Sequence, residues 1–247
     1  MTEQKTTVSE HLIELRSRLI KSIIFLFLTF IICYIFSEKI YNFLVDPYAQ
    51  AVKDDGNNRR LIFTALHETF LTYLKLAFFS AFFFSCPLIL IQIWKFIAPG
   101  LYKDEKLALF PFLIATPILF LLGGMLVYYL IMPIAIKFFL SFETLSVNGS
   151  LPIQLEAKVN EYLSLVMRLI LAFGISFQLP VFLTLLAKVG FITSEYLKTR
   201  RKYVVIIIFS MAALLTPPDP ITQIGLALPL LFLYEISIYT VKLVEKK

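Results

Sequence analysis

The chain has 247 residues, of which 59% are hydrophobic and only 16% charged, with 25 Phe and a net charge of +6. A soluble domain carries about 25% charged residues, so this composition cannot cover a water-facing surface and excludes a soluble globular protein. The remaining class is an integral membrane protein.

The N-terminal stretch "TTVSEHLIELRSRLIKS" reads as an amphipathic helix over 8–20. Thr7 and Glu10 fit a capping box. Val8, Leu12, Leu15 and Leu19 line one face, and Glu10, Glu14, Arg18 and Lys21 line another. Glu14 and Arg18 are four apart, the spacing of a helical ion pair. By spacing alone this is an interfacial anchor with solvated charges. No small-residue cleavage site follows the first apolar run, so no cleavable signal peptide is expected.

Charge-free runs at 22–37, 76–94, 107–136, 169–187, 203–218 and 220–234 mark the spans. A helix needs about 20 residues to cross about 30 Å of hydrocarbon. With their flanks, these runs predict six helices at about 19–37, 68–97, 107–132, 161–187, 203–215 and 221–241. Together they form a single polytopic membrane domain over 1–247. Backbone groups in lipid must be satisfied within the element, and no alternating strand pattern points to a barrel.

Six spans put both termini on one side. Fifteen of the 23 Lys and Arg fall on that side and six on the other, with Lys75 and Arg168 inside the expected spans. The positive-inside rule makes both termini cytoplasmic. Cys33 and Cys86 lie in apolar runs and are expected to pack rather than bridge.

The first loop on the terminus side reads "WKFIAPGLYKDEK", 94–106. Asp104 and Glu105 precede a helix start, where capping is sufficient to explain them. Proline recurs inside the spans, at Pro87, Pro111, Pro117 and Pro180, and bends helices. Such spans are expected to form a concave wall rather than a straight bundle. Tyr203 to Leu215 gives only thirteen residues, or about 20 Å, before "TPPDP" turns the chain. A hairpin that short thins the bilayer or hides against its neighbours, although tight packing alone also accounts for it. Gln178 sits at the middle of the charge-free run 169–187, two residues before Pro180.

Catalysis finds no support. The two His, His11 and His67, lie outside the membrane centre, and no Asp lies deep in a span. No P-loop, dinucleotide fingerprint or paired CxxC motif occurs. No enzyme activity, cofactor, metal or nucleic-acid partner is expected. A small-solute secondary transporter is the alternative, but it calls for ionisable groups at depth and an internal repeat.

"HLIELRSRL" at 11–19, "FIAPGLYKDE" at 96–105, "FGISFQLP" at 173–180 and "LLTPPDPITQ" at 214–223 occur in order between the expected spans. With these motifs the chain resembles the TatC family, the six-helix core subunit of the twin-arginine protein translocase. The resemblance implies a receptor for twin-arginine signal peptides in the bacterial cytoplasmic (inner) membrane. It implies export of folded cargo driven by the proton motive force, with single-span TatA and TatB partners and assembly into a multi-copy complex.

By position, Glu14 and Glu105 match the family's signal-contacting carboxylates, and Arg16, Phe96, Leu101 and Tyr102 its other recognition positions. Pro47 matches a position linked to assembly. Thr216, Asp219 and Gln223 match the polar hairpin end where partner helices dock. At 178 the family usually carries Glu, so Gln178 is a departure. A guanidinium meets a carboxylate bidentately, which suits a receptor for paired arginines. The basic surface on the same side attracts anionic lipid headgroups.

Overall fold

A computed structural model of the protein describes residues 8–53, 60–97, 110–144, 151, 153–216 and 219–245. The described residues are all-α, apart from two isolated bridges, Ile62 with Lys158 and Thr144 with Ile153.

Helix α1, Val8–Ile35, joins the expected amphipathic segment and the first span in one rod. No Gly or Pro interrupts those 28 residues, so nothing separates the two parts. Thr7 lies outside the described residues. Most of the α1 surface stays exposed, including Ile13, Phe27 and Ile35, as in a helix that faces lipid. One edge packs on the third helix, where Cys33 meets Ala77 and Ala81. Both cysteines are free and buried.

Helix α2, Ser37–Lys53, occupies a stretch with no expected helix. Its buried residues Leu44, Pro47, Tyr48 and Val52 follow helical spacing, a signal present in the sequence although Glu38, Lys39, Asp46 and Lys53 interrupt any charge-free run. Helix α3, Glu68–Ile97, contains Pro87.

The third span consists of α4, Phe110–Leu126, a π-helical segment Val127–Ile131, and α5, Met132–Leu140. It extends eight residues past the expected end at 132. The π segment ends two residues before Pro133, and the Met132 N–H reaches back to the Val127 carbonyl.

The fourth span is broken into α6, Val159–Ser176, and α7, Leu179–Lys188. Phe177 and Gln178 form the break, because Pro180 has no N–H to continue the ladder. Gly190, at φ 84°, then allows the turn into the next helix.

Helix α8, Ser194–Leu215, begins nine residues before the expected start at 203. Thr193 caps it by accepting the Tyr196 N–H at 3.2 Å. Lys198 to Lys202 form a basic first half that hydropathy alone does not register. Helix α9 runs Pro220–Glu245, and Glu245 returns to accept the Ser194 N–H at 2.7 Å.

Five helical stretches among the described residues are long and apolar enough to cross a bilayer. Helix α8 has a shorter apolar part and is not among them. Helix α6 is central: Leu163, Val166, Leu169 and Phe173 are buried among Leu76, Val127, Met132 and Leu226. Lipid is as apolar as these side chains, so close packing rather than water exclusion holds the helices together. Helices α4 and α6 approach closely at their glycines. A Cβ on Gly123 would stand 2.7 Å from the Phe173 carbonyl oxygen, and one on Gly174 would stand 2.8 Å from the Phe120 ring.

Candidate functional site

Among the described residues, the expected polar positions gather at three places along the bundle. At the N-terminal end, α1 presents Glu14 and Arg18 to α3. The Arg18 Nε and Nη2 donate to Glu14 Oε1 at 3.0 and 2.5 Å, and Nη1 donates to Gln92 Oε1 at 3.2 Å. Both side chains keep partial exposure, 33% for Glu14 and 23% for Arg18. Glu14 Oε2 has no partner among the described residues. Phe96 is half-buried one turn beyond Gln92. Arg16 is exposed on another face of α1. Leu101, Tyr102 and Glu105 lie outside the described residues, so the geometry of this end is that of Glu14, Arg18, Gln92 and Phe96.

The second site is Gln178, 9% exposed at the break between α6 and α7. Its Nε2 donates to the Thr116 carbonyl of α4 at 3.0 Å. That acceptor sets the amide orientation, because the flipped amide would place two oxygens together. The Oε1 atom is buried with no hydrogen-bond partner among the described residues. The helix that packs on Phe173–Gly174 is the chain's own α4, and the amide spends one of its two N–H groups on Thr116.

The third site is the turn between α8 and α9. Asp219, 6% exposed, accepts the Thr222 N–H at Oδ1, 2.7 Å, and the Thr222 hydroxyl at Oδ2. With Pro220 next in chain, this is an N-cap followed by proline at the first helical position. Thr216 is buried, and its hydroxyl donates to Ala212 O at 2.9 Å. Gln223 is half-buried, with Nε2 3.4 Å from Phe209 O. Both Asp219 oxygens serve the turn, while Gln223 retains partial exposure.

Pro47 is buried in α2 and lines a cavity of about 450 Å³ with Asp46, Gln50, Tyr129 and Lys137. The Arg18–Gln92 bond was not legible in the sequence, because 74 residues separate its ends.

Apolar helices with polar groups placed singly on their faces define an all-α, multi-span membrane protein. The family profile for the Sec-independent protein translocase protein TatC matches residues 10–229. A TatC protein of Magnetococcus marinus is 47% identical over 99% of this chain and 87% of its own length. One from Rickettsia prowazekii is 44% identical over 96% and 92%. A crystal structure of the twin-arginine translocase receptor TatC superposes with a TM-score of 0.80 at 38% identity, covering 96% of this chain and all of that one. The chain belongs to the TatC family, the core subunit of the twin-arginine translocase.

Proposed function

We propose that Glu14, held at the edge of α1, receives an arginine of a twin-arginine signal peptide, with Glu105 as the second carboxylate. The protein is the receptor and core of a Tat translocase that exports folded proteins by recognising their signal peptides. The observation that carries the residue assignment is the one-sided engagement of Glu14. Arg18 uses only Oε1, so a guanidinium arriving at the membrane surface meets Oε2. A planar fork can share that carboxylate, whereas a lysine ammonium cannot bind bidentately. Arg16, Phe96, Leu101 and Tyr102 complete the recognition surface.

In this reading both termini are cytoplasmic, the membrane is the bacterial inner membrane, and the kinked spans form a concave wall. TatA- and TatB-type helices dock at Thr216 and Gln223, Pro47 supports assembly, and the proton motive force drives transport. The chain acts as a receptor rather than an enzyme.

The test is photocrosslinking of a twin-arginine precursor in native membranes. Glu14→Ala and Glu105→Ala each weaken crosslinking at the arginine pair while membrane insertion persists. Undiminished crosslinking in the double variant removes these carboxylates from the site.

A further inference from the structure

We propose that α8 carries a binding site for one anionic phospholipid, built on Tyr196, Arg200, Lys202 and Tyr203, in the leaflet at the Ser194 end of the helix. Tyr196, Arg200, Tyr203 and Ile207 are three or four residues apart, so they form one stripe along α8, and all four are exposed. The packed side of the helix is another one: Leu197 is buried against Tyr234 and Ile238 of α9, and Ile208 and Ala212 are buried with it. The stripe therefore faces away from the bundle.

The level of the stripe is fixed from two helices. The charge-free run 203–218 begins directly after Lys202, and the run 220–234 ends directly before Glu235. Arg201 Nη2 donates to Glu235 Oε2 at 2.6 Å, which joins those two ends. Residues 200–203 thus stand where the apolar parts of α8 and α9 both stop, the level at which tyrosine favours a bilayer surface.

Two cations at that level have no counter-charge. The Arg200 guanidinium carbon lies over the Tyr196 ring at 5.4 Å and the Tyr203 ring at 5.6 Å, and Lys202 Nζ lies over the Tyr203 ring at 5.1 Å. No ion pair to Arg200 or Lys202 occurs among the described residues. Like charges thus flank one ring, and the rings hold them there while their N–H groups stay open to an anion. Arg201 is spent on Glu235. Exposed Glu195 and Lys198 lie farther from the apolar part, three apart, and offset each other.

The order along this single helix selects the occupant. Towards the bilayer centre from Arg200 and Tyr203 the stripe continues through Ile207, Met211 and Leu214, all exposed and apolar. A phospholipid matches that order: acyl chains lie along Ile207 to Leu214, and the phosphate meets Arg200 and Lys202 by charge-assisted hydrogen bonds. A headgroup of net negative charge balances the two cations, whereas the ammonium of a zwitterionic one adds a third. An acidic peptide has no use for the apolar stripe, and an apolar helix none for the cations. The consequence is the height of the hairpin. Its apolar part spans about 20 Å of about 30 Å of hydrocarbon. A phosphate held at Arg200 keeps the α8–α9 pair level with this leaflet and leaves the mismatch at the Thr216 end.

The experiment is native mass spectrometry of the whole protein released from nanodiscs of equal phosphatidylglycerol and phosphatidylethanolamine. Wild type is expected to retain phosphatidylglycerol over phosphatidylethanolamine by about fivefold, close to 1 kcal/mol. The pair Arg200→Gln with Lys202→Gln abolishes that preference, and Tyr196→Leu with Tyr203→Leu weakens it although every charge remains. Lys198→Gln, which removes a cation outside the site, leaves it unchanged. Unchanged melting of the Arg200 and Lys202 pair shows that the loss is not unfolding, and Arg200→Lys, which keeps a reduced preference, supplies the readout if that pair unfolds. Equal retention of the two lipids by wild type overturns the proposal. So does equal loss from Lys198→Gln and from the Arg200 and Lys202 pair, the mark of a diffuse basic surface, or capture of protein alone by a photocrosslinker at Ile207.

Discussion

Gln178 and Thr116 are 62 residues apart in sequence and joined by a 3.0 Å hydrogen bond from the side-chain amide to the backbone carbonyl. The bond ties the break in the fourth span to α4. It also leaves the amide's oxygen buried with no hydrogen-bond partner among the described residues.

That arrangement sets the first expectation. A neutral carboxylic acid offers one donor and a carbonyl acceptor, enough to keep the Thr116 bond, whereas an ionised one has no donor for Thr116. Gln178→Glu therefore keeps transport of a twin-arginine reporter. Gln178→Leu loses a bond worth about 1 kcal/mol and lowers both transport and signal crosslinking. Full activity with unchanged crosslinking in Gln178→Leu would show that the amide has no recognition role.

The α4–α6 crossing supplies the second. Gly123 leaves no room for a methyl group 2.7 Å from backbone oxygen, and backbone cannot swing away as a side chain can. Gly123→Ala should destabilise the protein by about 1–3 kcal/mol. Gly225, whose added Cβ would touch only the end of Ile131 at 3.3 Å, should tolerate Ala with a smaller loss. Thermal melting in detergent separates them; equal melting of the two variants contradicts the packing argument.

The hairpin turn gives the third. Asp219→Ala removes the α9 cap and should cost about 1 kcal/mol, with Asp219→Asn retaining most of the stability. Crosslinkers at Thr216 and Gln223 should capture a partner's transmembrane helix. Recovery of lipid adducts alone would leave those side chains a structural role only.

Topology is the fourth, resting on the fifteen-to-six split of Lys and Arg. Cysteines placed at positions 57 and 148 should react with an impermeant reagent added to intact cells. Labelling at positions 5, 103 or 245 in intact cells would invert the orientation.

What the sequence by itself determined was the solvent and the proline at which the fourth span is interrupted. Charge-free runs locate apolar helices because lipid offers the backbone no partner, so each segment must satisfy its own hydrogen bonds. Pro180 marks the break at Phe177–Gln178 for the same local reason: it has no N–H to give. The motifs around Glu14, Gln178 and Thr216 located candidate sites, but not what each side chain touches.

Tertiary structure alone decided that Arg18 bridges Glu14 to Gln92 and that Gln178 spends an N–H on Thr116. It also decided that Arg201 of α8 meets Glu235 of α9. In a membrane the buried and lipid-facing sides of a helix are equally apolar, so hydropathy carries little record of which faces meet. Those choices rest on small residues such as Gly123 and Gly174, on the π turn before Pro133, and on contacts between helices far apart in the chain.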